Sequence, residues 1–504
     1  MVSEADTIEV QPRPCWIAGR AEQGERTLTV RHPYDGTEVV DVAVPGAGQI
    51  ERAVAAAHDV ARAFATTPAH ERAEALRLAA DLIADRAEEI AETITAENGK
   101  PLKWANVEVD NAVATFRLAA EETGRLVGDL ERPAGQGLAV VRRRPRGPVL
   151  VVTPFNYPLG LVADKVAPAL AVGAPVVVRP ASATPMTALL LGEILSETNL
   201  PAGAFSILPS DRPIAGTPTA LPGVGSTAAD SPLPGDTAAG SDPAAGASAA
   251  AAPDDLVTDP RLPVITFTGT AAEGWAIAAA AQRKHVVLEL DGNSAAVVCE
   301  DWSSDTDLDT AAARIAVAAN GQAGQSRFAV RQVLVHADVA DRFIPRLVDA
   351  VRDLPTGDPH APDVEVGPLI DEAAADRITE WLTATGGTVL TGGTRTGTTV
   401  TPTVIRDDAP VSGPAPALGG THAFGPVLVV SVVDSLAAAF DRTPATAYGV
   451  FTHHVGTAFE AAAGLDADRV VIGDVPSGTG ADGVRATMEA FTRAQVTVLT
   501  DGRA

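Results

Sequence analysis

Residues 148–179 read PVLVVTPFNYPLGLVADKVAPALAVGAPVVVR. Two short runs rich in β-branched residues, 149–152 and 175–178, flank apolar residues at helical spacing over 161–171. A strand, a helix and a second strand in this order predict two parallel strands joined by a crossover helix. The fold class is therefore α/β, with a doubly wound parallel sheet.

The same alternation continues towards the C-terminus. A strand over 264–267, a helix from Ala271 and a strand over 286–290 form the next series. Another series begins with a strand at 295–298 and ends with one at 332–335, after a long helix before Gln322. Two α/β lobes in sequence are the simplest account of this pattern.

The ends of the chain carry further elements. A strand over 27–32 enters a turn at 33–36, and helices are expected over 50–65 and 69–97. Residues 495–499 predict an exposed edge strand that pairs with another subunit.

Composition excludes several classes of protein. The chain has 504 residues, enough for two cores, and its net charge of -26 repels nucleic acid. Cys15 and Cys299 are the only cysteines, which excludes a disulfide framework and a cysteine-rich metal site. Residues 1–10 lack the features of a signal peptide, and no apolar run is long enough for a membrane helix. We expect a cytoplasmic protein with no membrane, nucleic-acid or metal partner.

Residues 210–253 differ in composition from the rest of the chain. They consist mainly of Ala, Gly, Pro, Ser, Thr and Asp. Such a segment buries too little apolar surface to offset its ordering entropy, so it predicts a disordered surface insertion. It is either a tolerated insertion or a lid that binds a partner.

Several motifs follow one another in a recognisable order. They are 153–159 with Asn156, 165–170, 178–182, 267–270 with Gly274, 289–293, 367–370 and 424–426. In order and spacing they resemble the aldehyde dehydrogenase superfamily from about residue 16 to 499. The resemblance implies a Rossmann-type NAD(P) domain, an α/β catalytic domain and a small bridging element used in oligomerisation.

The resemblance also implies domain ranges, a reaction and partners. The NAD(P) domain would comprise 1–127 and 148–288, the catalytic domain 289–473, and the bridging element 128–147 and 474–504. Family enzymes oxidise an aldehyde to a carboxylic acid: a cysteine thiolate attacks the carbonyl, hydride passes to NAD(P)+, and a water activated by glutamate releases the acid. The implied partners are a small-molecule aldehyde and further copies of the chain, as a homodimer or a homotetramer.

Catalytic and cofactor roles carry over residue by residue. Asn156 matches the oxyanion donor and Glu289 the general base. Arg179 stands where a lysine usually contacts the adenosine ribose, and Ser182 where many NAD-preferring members have glutamate. Ser182 carries no carboxylate that would repel the 2′-phosphate of NADP, and Arg179 is a cation. Together the two residues favour NADP over NAD.

The expected pyrophosphate site has two interpretations. Gly269 and Thr270 precede a helix whose N-terminus offers N–H groups to an anion. A glycine turn with a threonine N-cap would look the same, and only the ordered series of motifs favours the cofactor. The remaining cofactor contacts implied by the resemblance are Thr153, Phe155, Gly274, Leu290, His422 and Phe424.

The position of the nucleophile departs from the family. Family members carry Gly-Gln-x-Cys, and the strand at 332–335 places Arg327, after Gly324-Gln325-Ser326, at the cysteine position. Counting from Gly321 instead places Gly324 there, which is no nucleophile either. A guanidinium stays protonated and cannot attack a carbonyl. Ser326 would be a substitute only with an activating base.

Three further departures surround the expected pocket. His422 replaces a glutamate that holds both hydroxyls of the nicotinamide ribose, and it can contact only one, unless it is a surface loop residue. Asp291 places a second acid beside Glu289, and the chain is shortened after residue 476. In the family geometry Arg327 would face Glu289, which predicts a buried ion pair.

Three functions fit this sequence. The first is an NAD(P)-linked aldehyde oxidoreductase impaired by the missing cysteine. The second is non-oxidative chemistry on a carbonyl or acyl compound, with Arg327 binding an anion. The third is a non-catalytic pseudoenzyme or scaffold subunit.

Overall fold

The structure is a computed structural model. It describes residues 11–132, 137–212, 255–290, 292–407, 423–442, 445–476 and 483–499. Nearly all of the expected insertion at 210–253, together with Asp291, His422 and residues 477–482, lies outside the described residues.

The described elements alternate as the sequence predicts. The strands up to residue 290 are β1 (Cys15–Ile17), β2 (Arg20–Glu22), β3 (Arg26–Arg31), β4 (Glu38–Val44), β5 (Leu130–Glu131), β6 (Leu138–Pro145), β7 (Val149–Val152), β8 (Val176–Arg179), β9 (Phe205–Ile207), β10 (Val264–Gly269) and β11 (His285–Leu290). The helices in this part are α1 (Ala47–Phe64), α2 (Ala69–Asp85), α3 (Ala87–Asn98), α4 (Leu102–Thr123), α5 (Gly160–Val172), α6 (Met186–Ser196), α7 (Asp255–Thr258) and α8 (Ala271–Ala280).

Beyond residue 290 the pattern is similar. The strands are β12 (Ser294–Val298), β13 (Val330–His336), β14 (Thr388–Thr391), β15 (Arg395–Thr396), β16 (Thr399–Val400), β17 (Thr403–Arg406), β18 (Val427–Val433), β19 (Ala447–Phe451), β20 (Arg469–Ile472) and β21 (Thr492–Leu499). The helices are α9 (Asp305–Asn320), α10 (Ala337–Arg352), α11 (Glu372–Ala384), α12 (Leu436–Arg442), α13 (Val455–Gly464) and α14 (Val484–Ala490).

The first sheet has the strand order β11-β10-β7-β8-β9-β1-β2. Its strands are parallel from β11 to β9, whereas β1 and β2 pair antiparallel at the far edge. Every residue of β7 and β8 is buried, which explains their continuous apolar sequence. The predicted parallel pair with its crossover helix α5 is confirmed.

The second sheet has the order β14-β17-β18-β13-β12-β19-β20. Its strands are parallel except for the edge strand β14. Helices α9 and α10 contribute Ile315, Phe343 and Leu347 to the core on one of its faces. The domain ranges inferred from the sequence remain a prediction, and β11, which carries Glu289, belongs to the first sheet.

One predicted helix is divided in two. The expected helix over 69–97 breaks at Arg86, where φ is -107° and ψ is 22°. The guanidinium of Arg86 binds Glu89 at 2.8 Å and Glu193 at 3.2 Å, so the bend is held by charged partners. The single-helix prediction is therefore wrong at this residue, although both halves are helical.

The third sheet has three strands in the order β21-β6-β5. Strand β21 pairs antiparallel with β6 along its whole length and leaves its other edge unpaired among the described strands. Val496, Val498 and Leu499 are exposed there, so pairing with another subunit remains a prediction. None of the described helices combines the length and apolar character needed to span a bilayer.

Candidate functional site

Glu289 lies near the carboxyl end of β11, next to the end of β10. Thr268 of β10 is its parallel neighbour and donates a hydrogen bond from Oγ1 to Glu289 Oε2 at 3.1 Å. Lys165 of α5 contacts the other carboxylate oxygen through Nζ. The Lys165 side chain is 3% exposed and that of Glu289 27% exposed, so the ammonium is buried and the carboxylate opens towards solvent.

The surroundings of Glu289 set its basicity. Burial alone would raise its pKa, but the charge of Lys165, the hydrogen bond from Lys165 and the weaker influences of Arg327 and Thr268 hold the pKa below its usual range. A carboxylate stabilised in this way stays ionised at neutral pH. It is a weak general base, because an efficient one has a pKa near the working pH.

The segment before Arg327 has an unusual backbone. Gln322 and Ala323 adopt left-handed φ angles of 56° and 54°, which cost about 1–3 kcal/mol each in non-glycine residues. Gly324 follows with φ at 64°, and a Cβ there would lie 2.2 Å from the carbonyl oxygen of Gly425. Only glycine fits at that point, which fixes how the chain enters the next residues.

Buried amides hold this segment against the rest of the site. Asn156 donates from Nδ2 to the carbonyl of Gln325 at 3.0 Å, and the side chain of Gln322 returns a hydrogen bond to the carbonyl of Asn156. Gln325 Oε1 accepts the amide of Ile370 at 3.0 Å. The expected oxyanion donor is thus tied to the expected nucleophile loop by two hydrogen bonds.

Arg331 also holds the backbone of the segment before Arg327. Its buried guanidinium donates to the carbonyls of Ser326 at 3.0 Å and Ala423, and lies 5.3 Å from the ring centre of Phe424. Phe424 in turn packs edge-on against Phe155 with ring centres 6.2 Å apart. Two residues assigned to the cofactor therefore meet beside the loop.

Arg327 faces Glu289 in the predicted ion pair, but the prediction that this pair is buried is wrong. Arg327 Nη1 lies 4.0 Å from Glu289 Oε2, beyond hydrogen-bond distance, and the Arg327 side chain is 40% exposed. Lys165 is the closer partner of the carboxylate. The guanidinium instead lies over the ring of Phe328, 4.6 Å from its centre.

Neither cysteine lies in this pocket. Cys15 and Cys299 are buried in separate apolar clusters. Burial, with nearby acidic groups, raises the pKa of Cys15 to about 11 and that of Cys299 to about 12. Both thiols are protonated at neutral pH, so neither is a ready nucleophile.

The hydroxyl of Ser326 is engaged by its neighbours. Its Oγ accepts the amide of Phe328 at 3.1 Å and shares a hydrogen bond with the phenol of Tyr157. Burial raises the pKa of Tyr157, so the phenol stays protonated and is no base for the serine.

At the N-terminus of α8 the threonine cap is present. Thr270 Oγ1 accepts the amide of Glu273 at 3.3 Å and lies 2.9 Å from Glu273 Oε2. The carboxylate of Glu273 therefore lies in the first turn, where a pyrophosphate is expected. A negative charge there favours the helix but opposes a second anion.

Helix α8 sits directly on β10 and β11. A Cβ at Gly274 would lie 2.3 Å from Leu290 Cδ2, and a Cβ at Gly269 would lie 2.5 Å from the ring of Phe267. Gly274 is thus explained by close packing of α8 on β11, and Gly269 by the ring of Phe267 on its own strand, β10. Their assignment to the cofactor remains a prediction.

The other assigned residues lie along the ends of β7 and β8. Thr153 and Arg179 are buried, and their backbones are linked by a 3.4 Å hydrogen bond. Arg179 donates from Nη2 to the carbonyl of Arg212 at 2.7 Å, and Ser182 is exposed. Thr153 and Arg179 thus lie at the carboxyl end of the first sheet, and their role in cofactor binding remains a prediction.

Sequence reasoning gave no site role to Lys165. A signal was present, because Asp164 and Lys165 are the only charged residues in the otherwise apolar helix α5. A buried charge requires a partner. That partner, Glu289, lies 124 residues away along the chain and was assigned to Arg327 instead.

A second buried ion pair supports the turn that carries Asn156. Lys100 contacts Glu108, with 0% and 1% of their side chains exposed. Glu108 Oε1 also accepts the amides of Leu159 and Gly160 at 2.9 Å, and Lys100 lies 4.1 Å from the ring centre of Tyr157. These residues fix the start of α5 directly after Asn156.

Comparison with known proteins agrees with this architecture. The profile of the aldehyde dehydrogenase family matches residues 19–221 and 246–488. The chain belongs to the aldehyde dehydrogenase family. It is 28% identical to the 3-sulfolactaldehyde dehydrogenase of Priestia aryabhattai, over 97% of this chain and 98% of the relative.

Solved members of the aldehyde dehydrogenase family share the fold. Aldehyde dehydrogenase 21 of Physcomitrella patens, in complex with the reaction product succinate, superposes with a TM-score of 0.83 at 32% identity, covering 98% of this chain and 99% of that one. The NADP-dependent glyceraldehyde-3-phosphate dehydrogenase of Bacillus halodurans C-125, complexed with NADP, gives 0.82 at 27% identity, over 97% and 100%. The predicted α/β fold of this family is confirmed.

Proposed function

We propose that this chain is an aldehyde dehydrogenase family member that binds NAD or NADP and a small carbonyl compound but does not catalyse thiol-dependent aldehyde oxidation. The observation that carries the proposal is the position of Arg327, whose guanidinium lies 4.0 Å from Glu289. A side chain at the nucleophile position should face the residue at the base position, and the one that does so is an arginine.

The chemistry of the neighbouring groups supports the same conclusion. Oxidation by the family mechanism requires a thiolate that attacks the carbonyl and a base that activates water. Arg327 supplies no nucleophile, and Glu289 is stabilised as a carboxylate by Lys165. In a serine protease the loss of the nucleophile costs about 10^6-fold in turnover, which indicates the scale of the defect.

The cofactor part of the proposal rests on the first sheet. Thr153, Arg179, Gly269 and Thr270 lie at the carboxyl ends of neighbouring parallel strands, the usual place for a nucleotide in such sheets. Arg179 and Ser182 favour NADP over NAD, and the NADP complex of the Bacillus halodurans relative supports that preference.

The relatives support an acidic ligand. The names of two of them specify aldehydes that carry a sulfonate or a phosphate, and the third was solved with succinate. A small carbonyl compound with an acidic group is therefore the proposed ligand here. A cytoplasmic location and a homodimer or homotetramer assembled through β21 complete the proposal.

The test compares the wild-type protein with Arg327→Cys. Calorimetric titration with NAD+ and NADP+ should show micromolar binding of one or both cofactors to each protein. Succinate semialdehyde and glyceraldehyde-3-phosphate are then supplied with the bound cofactor, and its reduction is followed by absorbance. Only Arg327→Cys should form reduced cofactor, because only it offers a thiol beside Asn156 and Glu289.

Two outcomes contradict the proposal. Reduction of cofactor by the wild-type protein would mean that oxidation proceeds without the cysteine, and loss of that activity in Ser326→Ala would identify the hydroxyl as its nucleophile. If neither protein binds a cofactor, the first sheet has a structural role and does not bind a nucleotide.

A further inference from the structure

The guanidinium of Arg327 is carried on a backbone that is already fixed. Asn156 binds the carbonyl of Gln325, Arg331 binds that of Ser326, and Ser294 Oγ donates to that of Arg327 itself at 3.4 Å. The guanidinium itself is also restrained, because it lies over the ring of Phe328, 4.6 Å from the ring centre, and part of its side-chain freedom is therefore lost before a ligand binds. This distinguishes Arg327 from a solvated surface arginine.

The donors of Arg327 are not used within the described part of the chain. A guanidinium carries five N–H donors, and none of them makes a hydrogen bond to any described residue. Among the described acids, the nearest carboxylate oxygen is in Glu289, 4.0 Å away. Because 40% of its side chain is exposed, Arg327 is accessible to a ligand from solvent.

Of the two cations near Glu289, Arg327 has its positive charge less well neutralised than Lys165. Lys165 is in contact with Glu289 and balances most of its charge. Asp164, which precedes Lys165 on α5, accepts a hydrogen bond from Thr115 Oγ1 at 3.1 Å. Burial raises the pKa of Asp164 to about 6. Among the described charged groups of this site, Arg327 is therefore the most exposed, whereas Glu289 and Asp164 each have a partner.

We propose that the pocket binds its ligand through a carboxylate, which pairs with the guanidinium of Arg327 at the position of the family nucleophile. The planar fork of a guanidinium matches a carboxylate with two parallel hydrogen bonds. Asn156 has a second amide N–H beyond the one given to Gln325, and it is the neighbouring donor for the same group. This inference rests on the proposed function, since it requires that residue 327 binds rather than attacks the ligand.

The first experiment is calorimetric titration of the full chain with acetate, propionate and succinate. At least one carboxylate should bind saturably at millimolar concentration or below, and succinamide, the neutral analogue of succinate, should not bind. Arg327→Gln should weaken binding by about tenfold or more, the effect of losing charge-assisted hydrogen bonds. Arg62→Gln, which alters an exposed arginine on α1, is the matched control and should bind like the wild type.

A second measurement reports on Arg327 directly. Phenylglyoxal modifies accessible arginines, and mass spectrometry of the peptides gives the extent at each one. The bound carboxylate should protect Arg327 several-fold and leave Arg62 unchanged. The inference is overturned if no carboxylate binds, if Arg327→Gln binds as tightly as wild type, or if inorganic phosphate binds more tightly than every carboxylate.

The two proposals fail in different ways. If the wild-type protein reduces cofactor with an aldehyde, the proposed function is wrong whatever the carboxylates do. If the wild type forms no reduced cofactor and Arg327→Gln binds carboxylates as tightly as the wild type, only the ligand assignment is wrong.

Discussion

Replacing Lys165 with methionine should destabilise the fold more than replacing Arg327 with glutamine, although both cations face the same carboxylate. Lys165 is almost completely buried and contacts Glu289 directly, whereas Arg327 is 40% exposed at 4.0 Å. The change Lys165→Met keeps an unbranched side chain, one heavy atom shorter, and removes its charge together with its hydrogen bond to Glu289. It leaves Glu289 without its main counter-ion.

The burial of each cation determines how much unfolding free energy its replacement should cost. Breaking a buried ion pair by removing one partner costs about 3–5 kcal/mol, because the remaining charge is left uncompensated. Glu289 is 27% exposed and keeps the hydrogen bond from Thr268, so we expect a loss nearer 2–3 kcal/mol. For Arg327, an exposed pair beyond hydrogen-bond distance contributes about 0–1 kcal/mol.

The assay is urea unfolding at neutral pH, followed by circular dichroism at one fixed protein concentration. A fixed concentration is needed because assembly of subunits would add to the apparent stability. The double variant with Lys165→Met and Glu289→Gln should recover part of the loss, since no charge is then left unpaired. Equal slopes of the unfolding curves would show that the variants differ in stability and not in the extent of unfolding.

One result would refute this reasoning. If Arg327→Gln costs as much as Lys165→Met, the guanidinium is the main counter-ion of Glu289, as the sequence had suggested. The carboxylate would then already occupy Arg327, and a ligand would have to displace it.

Two further predictions concern acids other than Glu289. Burial raises the pKa of Glu97 to about 8 despite hydrogen bonds from Met186 and Thr187, so the folded state binds this proton more tightly than the unfolded state. Stability should therefore fall between about pH 4.5 and 8 by up to about 1.4 kcal/mol per pH unit. Glu97→Gln resembles the protonated acid, so its melting temperature should lie close to that of the wild type near pH 4.5 and exceed it increasingly as the pH rises to about 8; parallel pH profiles would contradict this. Glu273→Gln should tighten NADP+ binding a few-fold in calorimetry, because it removes a negative charge from the helix N-terminus; unchanged or weaker binding would place the pyrophosphate elsewhere.

The fold could be predicted because its signals are local. In residues 148–179 the change from β-branched runs to helical spacing and back defines β7, α5 and β8. Each element buries its own apolar residues, so the periodicity carries the information. The bend at Arg86 was missed because its cause is partly tertiary, a contact with Glu193 on another helix.

The candidate site was harder to predict because its contacts are long-range. Glu289 and Arg327 could be placed in one pocket from the resemblance, but the partner of Glu289 depends on how α5 packs against β11. A shift of a few ångströms decides whether Lys165 or Arg327 compensates the carboxylate, and no sequence pattern determines that distance. Asn156 gives a similar case, since its bond to Gln325 joins segments 169 residues apart.

The loop that carries Arg327 indicates why a change of chemistry leaves the scaffold intact. Its left-handed residues and its hydrogen bonds involve Gln322, Gly324, Gln325 and Arg331, and none of these bonds uses the side chain at position 327. The backbone is therefore held in place by neighbours whose partners do not depend on that side chain. Exchange of this one residue alters the reacting group while the conformational strain of the loop stays compensated. For the same reason Arg327→Cys should place a thiol on an unchanged backbone, where the Cγ of Arg327 now lies, so a gain of aldehyde oxidation would report on chemistry and not on refolding of the site.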